Sequence, residues 1–162
     1  MERSGWSLVF LLVLAVVAAG LLLAGGDGDP GAYERATVDV LDANGTHLAS
    51  VAVRIADTDE KRRIGLSETE TLPAGEGMLF VHESGGEHAY WMKGMAVPLD
   101  IIFVDANGTI TTIHHAPVPE KLDGYGHFPG RGTYVLEVHR GWTNATGVTV
   151  GDRIDVPPSV AG

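Results

Sequence analysis

Nineteen consecutive residues without a charge, WSLVFLLVLAVVAAGLLLA from Trp6 to Ala24, divide the chain before anything else is read. At 1.5 Å per residue a helix of that length reaches roughly 28 Å, close to the hydrocarbon thickness of a bilayer. Nothing in the run is amphipathic, and a charged, glycine-rich stretch follows directly, which disfavours a buried core helix. That stretch, GGDGDPG from Gly25 to Gly31, has the composition of a flexible tether. Arg3 and the α-amine precede the apolar run, and the next basic residue is Arg35. The positive bias puts the N-terminus in the cytoplasm and the remainder outside. A cleavable signal peptide is the rival reading, although its apolar core is normally about 7–15 residues. The expected division is a transmembrane anchor or signal segment at 1–24, a Gly/Asp linker at 25–31 and a folded domain at 32–162. The implied partner is the cell membrane, crossed once through residues 6–24, or the chain is secreted if the leader is cut.

The chain carries a formal charge of −10, from 21 acidic and 11 basic residues, and only Lys61, Lys93 and Lys121 are lysines. That balance argues against a nucleic-acid partner, because phosphate binding needs a basic footprint. An acid-rich, lysine-poor surface is the expectation for a protein working in high salt. There is no cysteine, which excludes disulfides, thiolate nucleophiles and zinc–thiolate sites.

The outer part reads as mainly β. Ala36–Asp42 alternates, Asn44-Gly45 turns the chain, and His47–Ala56 returns with Val51, Val53 and Ile55 on one face. Two alternating runs around an Asn-Gly turn make a hairpin. Asp57, with Glu60 three residues on, fits a helix N-cap; Gly65 ends that helix, and Lys61-Arg62-Arg63 complements its C-terminal dipole. Further strands are expected at Gly77–His82, His88–Lys93, Asp100–Asp105, Thr109–Ala116 and Thr133–Val138, with Asp152–Pro157 closing the sheet. Ile101–Val104 is apolar on both faces, so its strand is interior. Pro117–Gly132 is expected to be an irregular loop, and Gly141–Gly147 a single helical turn. The expected fold is α+β but mainly β: a compact barrel- or sandwich-like sheet with one or two short helices, preceded by an N-terminal apolar helix.

Three N-x-T sequons occur, at Asn44, Asn107 and Asn144. The first two sit in Asp-Ala-Asn-Gly, which is itself a turn signal, and a hairpin tip tolerates a glycan. The segment Tyr90-Trp91-Met92-Lys93 poses a different question. On a strand Trp91 and Lys93 share one face and Tyr90 and Met92 the other. Trp91 then reads as a core aromatic with Lys93 snorkelling outward, or Lys93 pairs with Asp100 across the Gly94–Leu99 loop.

The chain resembles the family of unknown function called DUF192. The residues that carry the resemblance are Thr58–Leu66 (TDEKRRIGL), Leu72–Phe80 (LPAGEGMLF), Tyr90–Asp105 (YWMKGMAVPLDIIFVD), Tyr134–Glu137 (YVLE) and Gly151-Asp152. This chain departs from the family pattern at Ser67, Glu68-Thr69, Gly94 and Met95. The resemblance implies one compact, mainly β domain, often exported or tethered behind an apolar segment, and no established chemistry.

Chemistry is therefore weighed from the residues. His82, His88, His114 and His115 could approach on neighbouring strands, but no H-E-x-x-H or H-x-H spacing is present and no metal ligand set is assigned. No cofactor is implied. G-x-S-x-G is absent. Glu76 with Asp100, or Glu137 with Asp152, could act as an acid–base pair only if a cleft brought them together. The expected function is a binding or accessory module at the cell surface. Trp91, Lys93, Asp100 and Glu137 would line one shallow patch, with Tyr125 and His127 on a nearby loop offering stacking groups to a glycan or peptide. The alternative is an enzyme, hydrolase-like or metal-dependent, acting through the Trp91/Lys93/Asp100 surface. A deep pocket of converging ionisable groups would favour the enzyme, and an exposed aromatic face the binding module.

Overall fold

The structure, a computed structural model, describes residues 32–120 and 124–160. The apolar segment 1–24 and the linker 25–31 lie outside the described residues. Along the chain run β1 (Arg35–Leu41), β2 (His47–Ala56), α1 (Asp59–Ile64), β3 (Glu76–Tyr90), β4 (Leu99–Val104), β5 (Ile110–Ala116), β6 (Phe128–His139), α2 (Trp142–Thr146) and β7 (Arg153–Asp155). The strands form one sheet in the order β5-β4-β6-β3-β2-β1-β7, curled into a half-barrel. The mainly β expectation with two short helices holds. The barrel- or sandwich-like expectation holds in its coarser form, one curled sheet: the start of β5 meets β7 through a Thr109–Arg153 bridge, with Ile110 N donating to Asp152 O at 2.8 Å and Ile154 N to Gly108 O at 2.7 Å, and the seven described strands form a single sheet.

Two hairpins share one turn. In each Asp-Ala-Asn-Gly-Thr the aspartate carboxylate accepts two backbone N–H groups: Asp42 from Asn44 and Thr46, both at 2.8 Å, and Asp105 from Asn107 at 2.8 Å and Thr109 at 2.9 Å. Gly45 and Gly108 take positive φ, +84° and +85°, which a side chain would strain. α1 begins on Thr58, whose hydroxyl accepts from Lys61 N. The expected cap, Asp57, instead pairs with the Lys61 ammonium at 2.8 Å. Gly65, φ +52°, stops the helix as expected. The α1 connection lets β3 return parallel to β2, whereas the remaining pairs are antiparallel.

Both faces of the sheet are covered. Alternation sends Leu79, Ile102, Val104, Leu136 and Val138 into one cluster with β1, β2, Trp142 and Ile154. It sends Met78, Phe80, Ile101, Phe103 and Val135 into a second cluster with Leu66, Leu72 and Met92. All six residues of β4 are buried, as its two-sided apolar sequence requires; each large side chain removed from water contributes roughly 1.5–3 kcal/mol.

Two differences from the sequence reading create the functional geometry. Gly77–His82 and the segment from His88 are not separate strands but one, β3, with a register shift against β6 between Val81 and Gly86. β6 begins at Phe128, inside the expected loop, and pairs through Pro129, Gly130, Arg131 and Gly132. Ten residues of straight strand span about 33 Å. Yet the rings of Phe80 and Tyr90 stand 5.1 Å apart, edge to face, and those of His82 and His88 stack at 3.6 Å. The β3–β6 ribbon therefore bends sharply over itself. Gly130 allows the bend, since a Cβ there would lie 2.4 Å from the buried Phe103 ring.

Candidate functional site

The inside of this bend, roofed by α1, is a cleft of about 530 Å³. β3 supplies Phe80, His82, His88 and Tyr90; α1 and the turn after it supply Arg62, Arg63 and Ser67; the segment after β3 supplies Trp91, Lys93 and Met95; β6 supplies Glu137. Arg62 fixes the roof. Its guanidinium donates to the Val81 carbonyl beside the register shift and to Asp59 at 2.7 Å.

The Tyr90–Lys93 parity is as read, but the buried pair is the other one. β3 ends at Tyr90, Met92 N donates to Tyr125 O at 2.8 Å, and the Met92 side chain is 1 % exposed. Methionine, unbranched and polarizable, fills the gap. Trp91 is 66 % exposed on the cleft rim. The expectation of a core Trp91 is corrected, and Trp91→Ala is expected to change stability by less than about 0.5 kcal/mol. Thermal unfolding measures this, and a loss of several kcal/mol would contradict the exposed placement.

Glu137 lies on the cleft side of β6, between Met78 on β3 and Ile101 on β4, both fully buried. Its residue exposure is 4 %. Burial pushes its proton affinity up to about 8, so at neutral pH it is an uncharged carboxylic acid. His82 moves the other way. Burial first, then the neighbouring His88 and Arg62 charges, hold it down to about 4, so it is neutral at pH 7. Its Nε2 lies 3.0 Å from the Tyr90 hydroxyl. Burial, and then the Glu137 charge, raise the Tyr90 phenol, which stays protonated. His88 Nε2 is buried without a partner among the described residues.

The proposed patch is brought together in part. Trp91, Lys93 and Glu137 share the cleft. Asp100 does not, because alternation on β4 points it to the opposite sheet face with Ile102 and Val104. There it is wholly buried and accepts from Gly141 N (3.1 Å), Thr143 N (3.0 Å), Thr143 Oγ1 (2.8 Å) and His115 Nδ1 (2.6 Å). It holds the start of α2 rather than Lys93. Tyr125 lies under the Lys93 ammonium, 5.8 Å from ring centre to Nζ, and lines a separate groove with Pro117, Val118 and Phe128. His127 is exposed and lines neither cavity. Neither suggested carboxylate pair meets in the cleft: Glu76 is not among its lining residues, and Asp152 accepts from Thr149 N at 2.7 Å. His114 Nε2 approaches Pro129 O, away from the His82–His88 stack. Asn44, Asn107 and Asn144 are all exposed.

Arg62 and Tyr90 are not placed in the site by the sequence reading, which names His82 and His88 only as histidines able to approach on neighbouring strands. The signal was parity: along an unbroken β3 the even residues Phe80, His82, His88 and Tyr90 share a face. Splitting the strand at Ser84–Gly86 hid it.

The DUF192 family model, described as "Uncharacterized ACR", matches residues 40–156. The chain belongs to the DUF192 family. Among solved structures this DUF192 chain is similar to a candidate transcription regulator from Sinorhizobium meliloti, with 30% identity over 76% of this chain and 95% of that one, and a TM-score of 0.69. It is also similar to a protein of unknown function from Novosphingobium aromaticivorans, with 25% identity over 80% of this chain and 90% of that one, and a TM-score of 0.70. No curated protein matches the DUF192 chain.

Proposed function

We propose that this DUF192 protein is an extracytoplasmic binding module, held to the membrane through residues 6–24, whose α1–β3 cleft takes a small anionic ligand at the cell surface. One observation carries the binding reading. A chain of net charge −10 sets Arg63 and Lys93, with no ion-pair partner among the described residues, around a cleft whose Asp59 and Glu87 are paired with Arg62 and Arg131, and an exposed Trp91 on its rim. Cations facing a concave, partly desolvated wall raise the local concentration of anions. The outer location is supported by the uncharged Trp6–Ala24 run and by Arg3 before it. On that side Asn44, Asn107 and Asn144 are open to glycosylation. The acidic balance supports solubility in high salt. The regulator description of the Sinorhizobium meliloti neighbour is not adopted, because this chain offers no basic footprint for a nucleic acid.

Two measurements test the reading. Protease added to intact cells is expected to digest the domain after residue 31; protection until lysis, or full-length protein in a lipid-free cytosolic fraction, overturns the outer location. Calorimetric titration of the full chain in detergent with small carboxylates and phosphates is expected to show binding that the joint substitution Arg63→Gln, Lys93→Gln weakens by at least about tenfold. Indifference to the substitution overturns the anion cleft.

A second reading has its own support. The protonated Glu137 and the neutral His82 pair an acid with a base in one cleft, the pattern of general acid–base catalysis. Under it, Glu137→Gln abolishes turnover of a bound ligand and leaves its affinity unchanged.

A further inference from the structure

We propose that the ligand of this cleft is an acidic sugar, a pyranose ring bearing a carboxylate. The inference rests on the binding-module reading and names its ligand class. Three parts of the cleft make different demands, and one chemistry meets all three.

The rim presents a plate. Trp91 is 66 % exposed, while the residue after it is buried and tied through its amide to Tyr125 O. The backbone next to the indole is thus tied down, which limits the main-chain ordering that binding would cost. An exposed, pre-positioned indole face suits the C–H face of a sugar ring. The rim also presents charge. Arg62 is committed to Asp59 and to the Val81 carbonyl. Arg63 and Lys93 form no ion pair among the described residues. Lys93 is instead propped against the Tyr125 ring. Both cations are available to a carboxylate.

The floor makes the third demand. Glu137 is 4 % exposed and lines the cleft, and His88 Nε2 is buried without a partner among the described residues. Buried polar atoms without partners are costly to a fold, and a ligand that supplies the missing bonds removes that cost. A protonated carboxyl both donates and accepts, as a sugar hydroxyl does. A bare anion such as phosphate or acetate would engage the rim cations and leave both the indole and the floor unmet. A peptide taken by strand addition is the competing occupant, because β3 beyond Phe80 pairs only with β6, and tri-aspartate is the probe that tests it. The cleft volume, about 530 Å³, falls in the range that small ligands occupy.

The test uses the full-length chain in detergent micelles, with D-glucuronate, D-glucose, acetate and tri-aspartate as probes in calorimetric titrations. Glucuronate is expected to bind at least about tenfold more tightly than each of the other three. Trp91→Ala is expected to weaken glucuronate by at least about tenfold with the melting temperature unchanged. Joint Arg63→Gln and Lys93→Gln substitution should bring glucuronate to the level of glucose. Acetate equal to glucuronate would overturn the sugar inference while leaving the anion cleft standing. Glucose equal to glucuronate would overturn the acidic part, and tri-aspartate binding most tightly would transfer the site to peptides. No binding by any probe would overturn both this inference and the reading beneath it.

Discussion

Asp100→Ala is expected to lower stability by about 3–5 kcal/mol, the range for removing one member of a buried, hydrogen-bonded charge network. Asp100 is 0 % exposed and receives four donors, from Gly141, Thr143 (twice) and His115. Alanine would leave two backbone N–H groups and a buried hydroxyl without an acceptor, each costing about 1–3 kcal/mol. Burial alone would raise the Asp100 proton affinity, but the bonds from His115, Thr143 and Gly141 outweigh it, and the net direction is down. A group depressed in this way stabilises the fold above its unfolded value and loses that contribution as pH falls through its folded value. Asp100→Asn keeps one acceptor oxygen and should cost less than alanine. Denaturant titration at neutral pH decides it, and an alanine variant within 1 kcal/mol of the parent would mean that α2 is held by something else.

Glu137 gives the second large effect, with the opposite sign. Its folded value, about 8, lies above its ordinary value of 4.5, so the folded state keeps a proton that the unfolded chain releases. Stability present at acid pH is therefore lost as pH rises from 4.5 through 8. His82 opposes part of this. Its folded value, about 4, lies below its ordinary 6.5, so its contribution is lost as pH falls over that interval. The two trends offset each other between about 4.5 and 6.5 and leave a net decline between about 6.5 and 8. At 1.36 kcal/mol per unit, that decline is about 2 kcal/mol. Glu137→Gln, a neutral amide of similar shape, should abolish the decline and be the more stable protein at pH 8. Melting temperatures of both proteins from pH 5 to 9 test this, and parallel curves would refute a buried, titrating Glu137.

The parts of the fold legible in sequence were those set by local chemistry. Two Asp-Ala-Asn-Gly turns announced their hairpins, Gly65 announced the end of α1, and Ile101–Val104 announced an interior strand. The parts that were not legible depend on distant neighbours. Pro129, Gly130 and Gly132 read as loop because their composition says so. They are strand because β6 must pass over the Phe103 ring and the Val104 carbonyl without side chains of its own. Nothing near Gly130 in the sequence mentions Phe103. Trp91 was assigned to the core because buried indoles are usual; Met92 fills that place because the strand stops one residue earlier. Asp100 and Glu137 were both named, but their opposite faces follow from registers on β4 and β6 that only the pairing fixes. Of the proposed site, the cleft holds Trp91, Lys93 and Glu137; the parity of β3 puts His82 and His88 on one face, but the bend that stacks them depends on the distant pairing with β6.

The neighbour of β1 on its outer side is β7, the last of the described strands along the chain. The first 41 residues thus include an open edge whose cover arrives only with Arg153–Asp155. A nascent chain can close its early hairpin but cannot shield that edge until Arg153–Asp155 has been made, more than one hundred residues later, so exposure to mispairing is prolonged.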